Sequence, residues 1–195
     1  PIWQDNMFGV WAHDVRCSNP DNVPFPIPMH GMGLFLSSVK HFQKFHVLFK
    51  GFGGEEGYIH EKTRLAGGDI ICLPWLRWMH RFQRPNKAPY SNVIQDRIVN
   101  YLIGFNEVGW NKNTVVNHFK TNFPDIDYPT LVNATEEMLE AYHEDPEEVL
   151  KLRFNKTKET KTWHNTLVKL DTPLELELMG KEILVKAFGF EYSLD

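Results

Sequence analysis

Leu174-Glu175-Leu176-Glu177-Leu178 alternates apolar and acidic side chains at the period of a strand. Met179-Gly180-Lys181 reads as a turn, and Ile183-Leu184-Val185-Lys186-Ala187-Phe188 returns as a second strand. In such a hairpin Leu174, Leu176 and Leu178 share one buried face while Glu175 and Glu177 face water, because strand side chains alternate. Trp163 to Leu170 offers a third strand. The segments before this stretch read as helices. Helices first and strands last predict an α+β chain, not an alternating parallel one. The expected architecture is a mostly helical single domain over residues 33–195 with a small C-terminal antiparallel sheet. An extended N-terminal arm over residues 1–32 precedes it.

Working upstream, Asp145-Pro146-Glu147-Glu148 combines a capping carboxylate, a Pro at the first helical position and acids facing the helix dipole. It predicts a helix ending by Asn155. Thr130 to His143 reads as another helix, with Leu131, Met138, Leu139 and Tyr142 available for burial. A shorter one begins at Asn113 or Thr114 and stops before Pro124. Ser91 is placed to cap a helix through Val93, Ile94, Ile98, Tyr101 and Leu102 that closes near Gly104. Phe35, Val39, Phe42, His46 and Phe49 recur at helical spacing and predict a helix from Leu34, ended by Gly51, Gly53 and Gly54. Ile70-Ile71-Cys72-Leu73 has the character of a short buried strand. Pro74 suits the first turn of a helix running to Gln83.

The arm carries Pro20, Pro24, Pro26 and Pro28, which hold the chain extended. It also carries Trp3, Phe8, Trp11 and Phe25, more aromatic surface than a solvated tail retains. Trp3, Phe8 and Trp11 are therefore expected to dock the arm onto its own domain or onto a neighbour. Burying each ring contributes roughly 1.5–3 kcal/mol.

The 195 residues carry 42% hydrophobic and 24% charged side chains, the composition of a chain with a real core. A formal net charge of −4 supplies no bulk attraction to nucleic acid or an anionic membrane. No apolar run approaches the roughly 20 residues of a membrane-spanning helix. Cys17 and Cys72 are the only cysteines, and their spacing matches no zinc pattern. They read as two packed thiols in a reducing compartment, with a single bridge from arm to body as the alternative. Asn133-Ala134-Thr135 and Asn155-Lys156-Thr157 fit the short glycosylation pattern.

Nine histidines raise the question of metal. His41 and His46, five apart, fall on different faces of a helix. His13-Asp14 with Cys17, and His60-Glu61, have no recognised ligand spacing, so no metal or other cofactor is expected. Asp125, Asp127, Glu136, Glu137 and Lys151 include the residue types of a two-metal nuclease, whose acids and lysine converge on a phosphate. Their placement on helices departs from that pattern. Gly51-Phe52-Gly53-Gly54, placed after a helix, is in the wrong context for a phosphate loop. Ser37, Ser38 and Ser91 sit in no nucleophile elbow.

Trp75-Leu76-Arg77-Trp78-Met79-His80-Arg81-Phe82-Gln83-Arg84 interleaves arginines with aromatics, the composition of interface hot spots. On a helix from Pro74, Arg77, Arg81 and Arg84 share one face, which like charges occupy only if anionic groups of another molecule lie opposite. The interface set is thus Trp3, Phe8, Trp11, Trp75, Arg77, Trp78, Arg81 and Arg84. Other protein subunits are the expected partners, with nucleic acid the lesser alternative. The expected function is that of a non-catalytic accessory or structural subunit of a larger intracellular assembly. A start without Met, a long arm, few cysteines and little net charge point towards a mitochondrial respiratory or ATP synthase complex. The alternative is a metal-dependent hydrolase or nuclease whose His, Asp and Glu residues come together only on folding.

Overall fold

The computed structural model describes Trp3–Gln4, Met7–Phe8 and residues 14–79, 92–155, 185–187 and 190–192, with side chains over 14–79 and 92–154. The chain divides into two units, Pro1–Lys161 and Thr162–Asp195. In the first unit five α-helices dominate: α1 (Glu55–Leu65), α2 (Ile94–Glu107), α3 (Lys112–Asn122), α4 (Tyr128–Glu144) and α5 (Pro146–Asn155). No helix among the described residues is long and apolar enough to cross a membrane.

α2 is the centre of the unit because it is apolar around most of its circumference, which a helix tolerates only when neighbours cover every side. Everything from Arg97 to Phe105 is buried, and α1, α3 and α4 pack against α2, with α5 on α4. One core cluster joins Ile98, Tyr101, Leu102 and Phe105 of α2 to Val115 and Phe119 of α3 and to Tyr128 at the start of α4. A second joins Val99 and Ile103 to Leu48, Leu139 and Val149. Asn100 stays on this buried surface by satisfying backbone that has no helix or ladder partner. Its Oδ1 accepts from the Lys50 N–H at 2.9 Å, while its amide donates to the carbonyls of Lys50 and Gly53 at 2.9 and 3.0 Å.

The later helices start where their capping residues stand. Asp127 accepts from the Thr130 N–H at 3.1 Å, and Asp145 from the Glu148 N–H at 3.0 Å with Pro146 as the first helical residue. Asn111 caps α3, whose first residue, Lys112, stands one ahead of Asn113, the earlier of the two expected starts. A side-chain oxygen at each position satisfies an amide that would otherwise lack a partner.

Three expectations are corrected. The segment 34–49 is not helical but a succession of turns and extended residues. Its side chains bond to local backbone instead of supporting a helical ladder: the Leu48 N–H donates to His46 Nδ1 at 3.2 Å, and Gln43 donates to the His41 carbonyl at 3.0 Å. The glycines that were to end that helix open α1. Gly53 and Gly54 take φ of 102° and 93°, a left-handed region costly to other residues, and Gly54 is the residue before the helix. Second, the run from Pro74 forms a turn and then no regular structure through Met79.

The third correction concerns the fold class. The chain is not an α+β domain with its sheet at the C-terminus. Within the helical unit a two-stranded sheet joins the arm to residues beyond α1, with β3 (Phe25–Pro26) antiparallel to β4 (Ile71–Cys72). Nearer the start, β1 (Trp3–Gln4) pairs with β2 (Met7–Phe8). In the second unit β5 (Val185–Ala187) pairs with β6 (Phe190–Tyr192), so its partner is the segment that follows it. Leu174–Leu178 and Trp163–Leu170 lie outside the described residues. Alternation marks a strand but does not choose its partner, and the nearest segment closes the smallest loop at the lowest entropic cost.

Candidate functional site

The expected interface residues that the structure describes with their side chains fall where the arm meets residues 70–79. The arm begins there with a single 3-10 turn, Val15–Cys17, capped by Asp14, which accepts from the Arg16 N–H at 2.9 Å. Arg16 returns to Asp14 through Nε at 3.0 Å and Nη2 at 2.7 Å, and its guanidinium lies 3.8 Å over the Phe25 ring. Phe25 is buried and stands opposite Cys72 in the β3–β4 pair. Beyond β3, the Ile27 N–H donates to the Ile70 carbonyl at 2.9 Å, and Arg64 of α1 donates to the Pro28 carbonyl. Cys17 Sγ lies 3.5 Å from Cys72 Sγ.

Arg77 closes this junction from the other side. Its Nη2 donates to the carbonyls of Cys17 and Ser18 at 3.1 and 3.2 Å, and its Nε to the Pro74 carbonyl at 3.4 Å. An arginine read from sequence as facing a partner is engaged with its own chain. Those bonds also suit a non-helical backbone at 74–79, since Arg77 reaches carbonyls on two segments at once. Trp78 packs over Gly33, where a β-carbon would overlap the indole. Trp75 is half-buried. Trp3 and Phe8 are register partners across β1–β2. Trp11, Arg81 and Arg84 lie outside the described residues, as does most of the expected arginine face.

The same two segments expose several large apolar side chains. Met79 is 83% exposed, Val23 78% and Val15 77%, while Ile71 and Trp78 are partly so. Sequence reading passed over Val15 and Val23, because a lone valine carries no local signal, and left Met79 out of the interface set although it stands inside the Trp75–Arg84 stretch. Only the pairing of residues 25–26 with 71–72, distant in sequence, places them on neighbouring segments.

A second feature lies on α1. His60 is fully buried and neither ring nitrogen has a hydrogen-bond partner. His30 packs against it at 4.5 Å between ring centroids and Phe35 at 5.9 Å. Burial, helped by the nearby His30 and Arg64, pushes the His60 imidazole down to about 4, so it is neutral at physiological pH. Beside it, burial also raises the Glu56 carboxyl, which accepts from the Met32 N–H at 3.1 Å. Among the described residues no three His, Cys, Asp or Glu side chains converge in a way that could hold a metal ion. Of the acids grouped as a two-metal set, Asp127 caps α4 and Glu136 pairs with Lys112. Lys151 pairs with Glu148 on its own helix at 3.7 Å.

No family model, curated protein or solved structure matches this chain.

Proposed function

We propose that this chain is a non-catalytic structural subunit that binds a neighbouring protein chain of a larger assembly. The binding surface is formed by the docked arm and residues 71–79. The observation that carries the reading is the exposure of Val15, Val23 and Met79 on two segments that the β3–β4 pair and the Arg77 bonds hold in place. Apolar side chains on segments held in register by these contacts lose less entropy on association than those of a free tail, so more of their burial against a partner is retained as affinity. A protein partner fits better than nucleic acid, because Arg16, Arg64 and Arg77 of this junction are engaged by Asp14, by Glu61 and by backbone carbonyls. An intracellular, mitochondrial setting is part of the same proposal and is read by subcellular fractionation.

The test places a photoreactive residue at position 79, at position 23 and, as a control, at Glu140, an exposed residue of α4. The chain is then crosslinked in its native extract. Positions 79 and 23 are expected to capture the same stoichiometric protein, and position 140 none of it. Val23→Glu with Met79→Glu should abolish the capture while leaving the melting temperature within a degree or two. A chain that elutes as a monomer and crosslinks equally from all three positions would falsify the reading. Stoichiometric zinc or manganese in the purified chain would favour the hydrolase alternative.

A further inference from the structure

We propose that Cys17 and Cys72 are a redox-controlled staple: oxidation joins them in a disulfide that locks the arm onto the helical unit. This inference does not depend on the identity, or the existence, of the partner proposed above. Its basis is geometric. The two sulfurs are 3.5 Å apart across 55 residues of sequence, and both are free thiols. Cys17 ends the 3-10 turn whose carbonyl Arg77 holds, and Cys72 sits in β4 opposite Phe25. The Arg77 bond at Cys17 and the β3–β4 ladder at Cys72 bring the sulfurs within about 1.5 Å of the bonded separation of about 2.0 Å.

The bridge would alter the arm more than the body. In the thiol form, β3 has two residues in its ladder, and Phe25 is the one buried residue among residues 14–30. Such a segment opens locally at little cost. A covalent link between Cys17 and Cys72 removes that opening and closes a long loop, which constrains the unfolded chain most. The arm is therefore detachable when reduced and fixed when oxidised.

The chemistry is thiol–disulfide exchange with a small-molecule disulfide such as glutathione disulfide. The Cys17 sulfur, as thiolate after losing its proton to water, attacks one sulfur of the oxidant. A Cys17 mixed disulfide forms and one oxidant thiolate leaves. The Cys72 thiol then loses its proton to solvent and attacks the Cys17 sulfur, expelling the second oxidant thiolate. Two protein thiols are oxidised by two electrons, and one small-molecule disulfide is reduced to two thiols. The order follows from the site. Burial first, then the hydrogen bond to Cys17, pushes the Cys72 thiol up to about 11, so Cys72 is the poorer first nucleophile and serves as the resolving group.

The experiment equilibrates the purified full chain in glutathione buffers of graded oxidation, quenches it with acid and maps the cysteines by mass spectrometry. The expected product is a monomer lighter by two hydrogens, with a peptide linking Cys17 to Cys72. It should melt roughly 5–10 °C higher than the reduced chain and resist proteolysis within residues 14–27. Cys17→Ser should leave no glutathione-resistant product, and Cys72→Ser should stop at the Cys17 mixed disulfide. Intermolecular dimers, or stable glutathione adducts on both cysteines of the native chain, would overturn the proposal. So would a bridged monomer that melts no higher and is cut as readily as the reduced chain. The native-chain measurements stand even if a serine variant fails to fold.

Discussion

α2 and the docked arm belong to one unit but are held by different forces. α2 is buried from Arg97 to Phe105 and contributes to both clusters that join it to α3, α4 and α5. The arm contributes one buried ring at Phe25 and, near its end, the half-buried His30 on His60 and Met32 on the cluster of Tyr58, Ile59 and Val108. The rest of its attachment is polar: a two-residue ladder, the Ile27 N–H to Ile70, the Arg77 fork and the Arg64 bond to Pro28. Area removed from water stabilises a core in proportion to what is buried, whereas a hydrogen bond exchanged with water contributes only about 1 kcal/mol net. The helical core is thus expected to unfold as a whole, while the arm can leave it first.

The comparison breaks most readily on two phenylalanines. Phe119 has no exposed surface and packs with Tyr101 at 5.4 Å between centroids, so Phe119→Ala removes a ring from the centre of the core. It should cost about 3–5 kcal/mol in a urea titration. Phe25→Ala removes a ring of the same size, yet its cost is capped by the free energy at which the arm lets go. We expect a global loss below about 1 kcal/mol, with faster amide exchange at Ile27 and faster proteolysis between residues 14 and 27. Equal losses from the two substitutions would make the arm part of the cooperative core.

Capping chemistry made α5 legible in the sequence, because Asp145-Pro146 carries its signal within two residues. α4 was legible from its apolar residues, close to the expected bounds, while its cap, Asp127, reads in the sequence as one of the acids of a metal site. The errors fall where the deciding contact is distant. Phe35, Phe42 and Phe49 do recur at helical spacing, and they reach a common region without a helix: Phe35 meets Phe42 and His60, while Phe42 and Phe49 pack against the cluster of Tyr58, Ile59 and Val108. Periodicity counts apolar residues and cannot tell a helix from a run of turns that buries the same residues against one neighbour. The same limit hid the partner of Ile71–Cys72, which lies in a proline-rich arm that itself has no strand periodicity. Of the expected interface, the meeting of arm and residues 70–79 follows from that pairing, whereas the inward use of Arg77 depends on carbonyls nearly sixty residues away.

His60 sharpens the comparison, since it belongs to α1 but packs against His30 of the arm and Phe35 just beyond it. An ordinary histidine titrates near 6.5, and in the folded chain this one is held down to about 4. Between those values the unfolded chain binds a proton that the native chain does not. Stability is therefore fully retained above about pH 6.5 and declines as pH falls towards 4, by about 1.4 kcal/mol per pH unit at the steepest. Glu55 and Glu56, raised chiefly by burial, act in the opposite sense, favouring the fold at low pH and losing that contribution as pH rises through their folded values. The measurement is therefore a difference: urea stability of the native chain and of His60→Leu across pH 4 to 8. The native chain should lose more stability than the variant on acidification, and parallel curves would mean that His60 is not a source of the pH dependence.

The smallest expected effect is at Gly33, where the arm's end meets the exposed segment. A methyl group there would occupy the space of the Trp78 ring, because the built β-carbon overlaps the distal carbons of the indole. The clash falls on a side chain that is already 38% exposed, so the ring can swing outward instead of forcing the backbone apart. Gly33→Ala should then cost about 1 kcal/mol or less, reduced further because alanine restricts the unfolded chain more than glycine does. Its spectroscopic effect should be larger than its energetic one: an indole released into water shifts its fluorescence to the red. The control is Trp78→Phe, which deletes the reporting ring. The Gly33→Ala shift should vanish in the double variant, and the two energetic costs should combine less than additively because both act on one contact. A red shift that persists without Trp78 would place the disturbance at another tryptophan. Strictly additive costs would show that residues 33 and 78 do not act on each other, and the segment 71–79 would then be braced by Arg77 and the β3–β4 ladder alone.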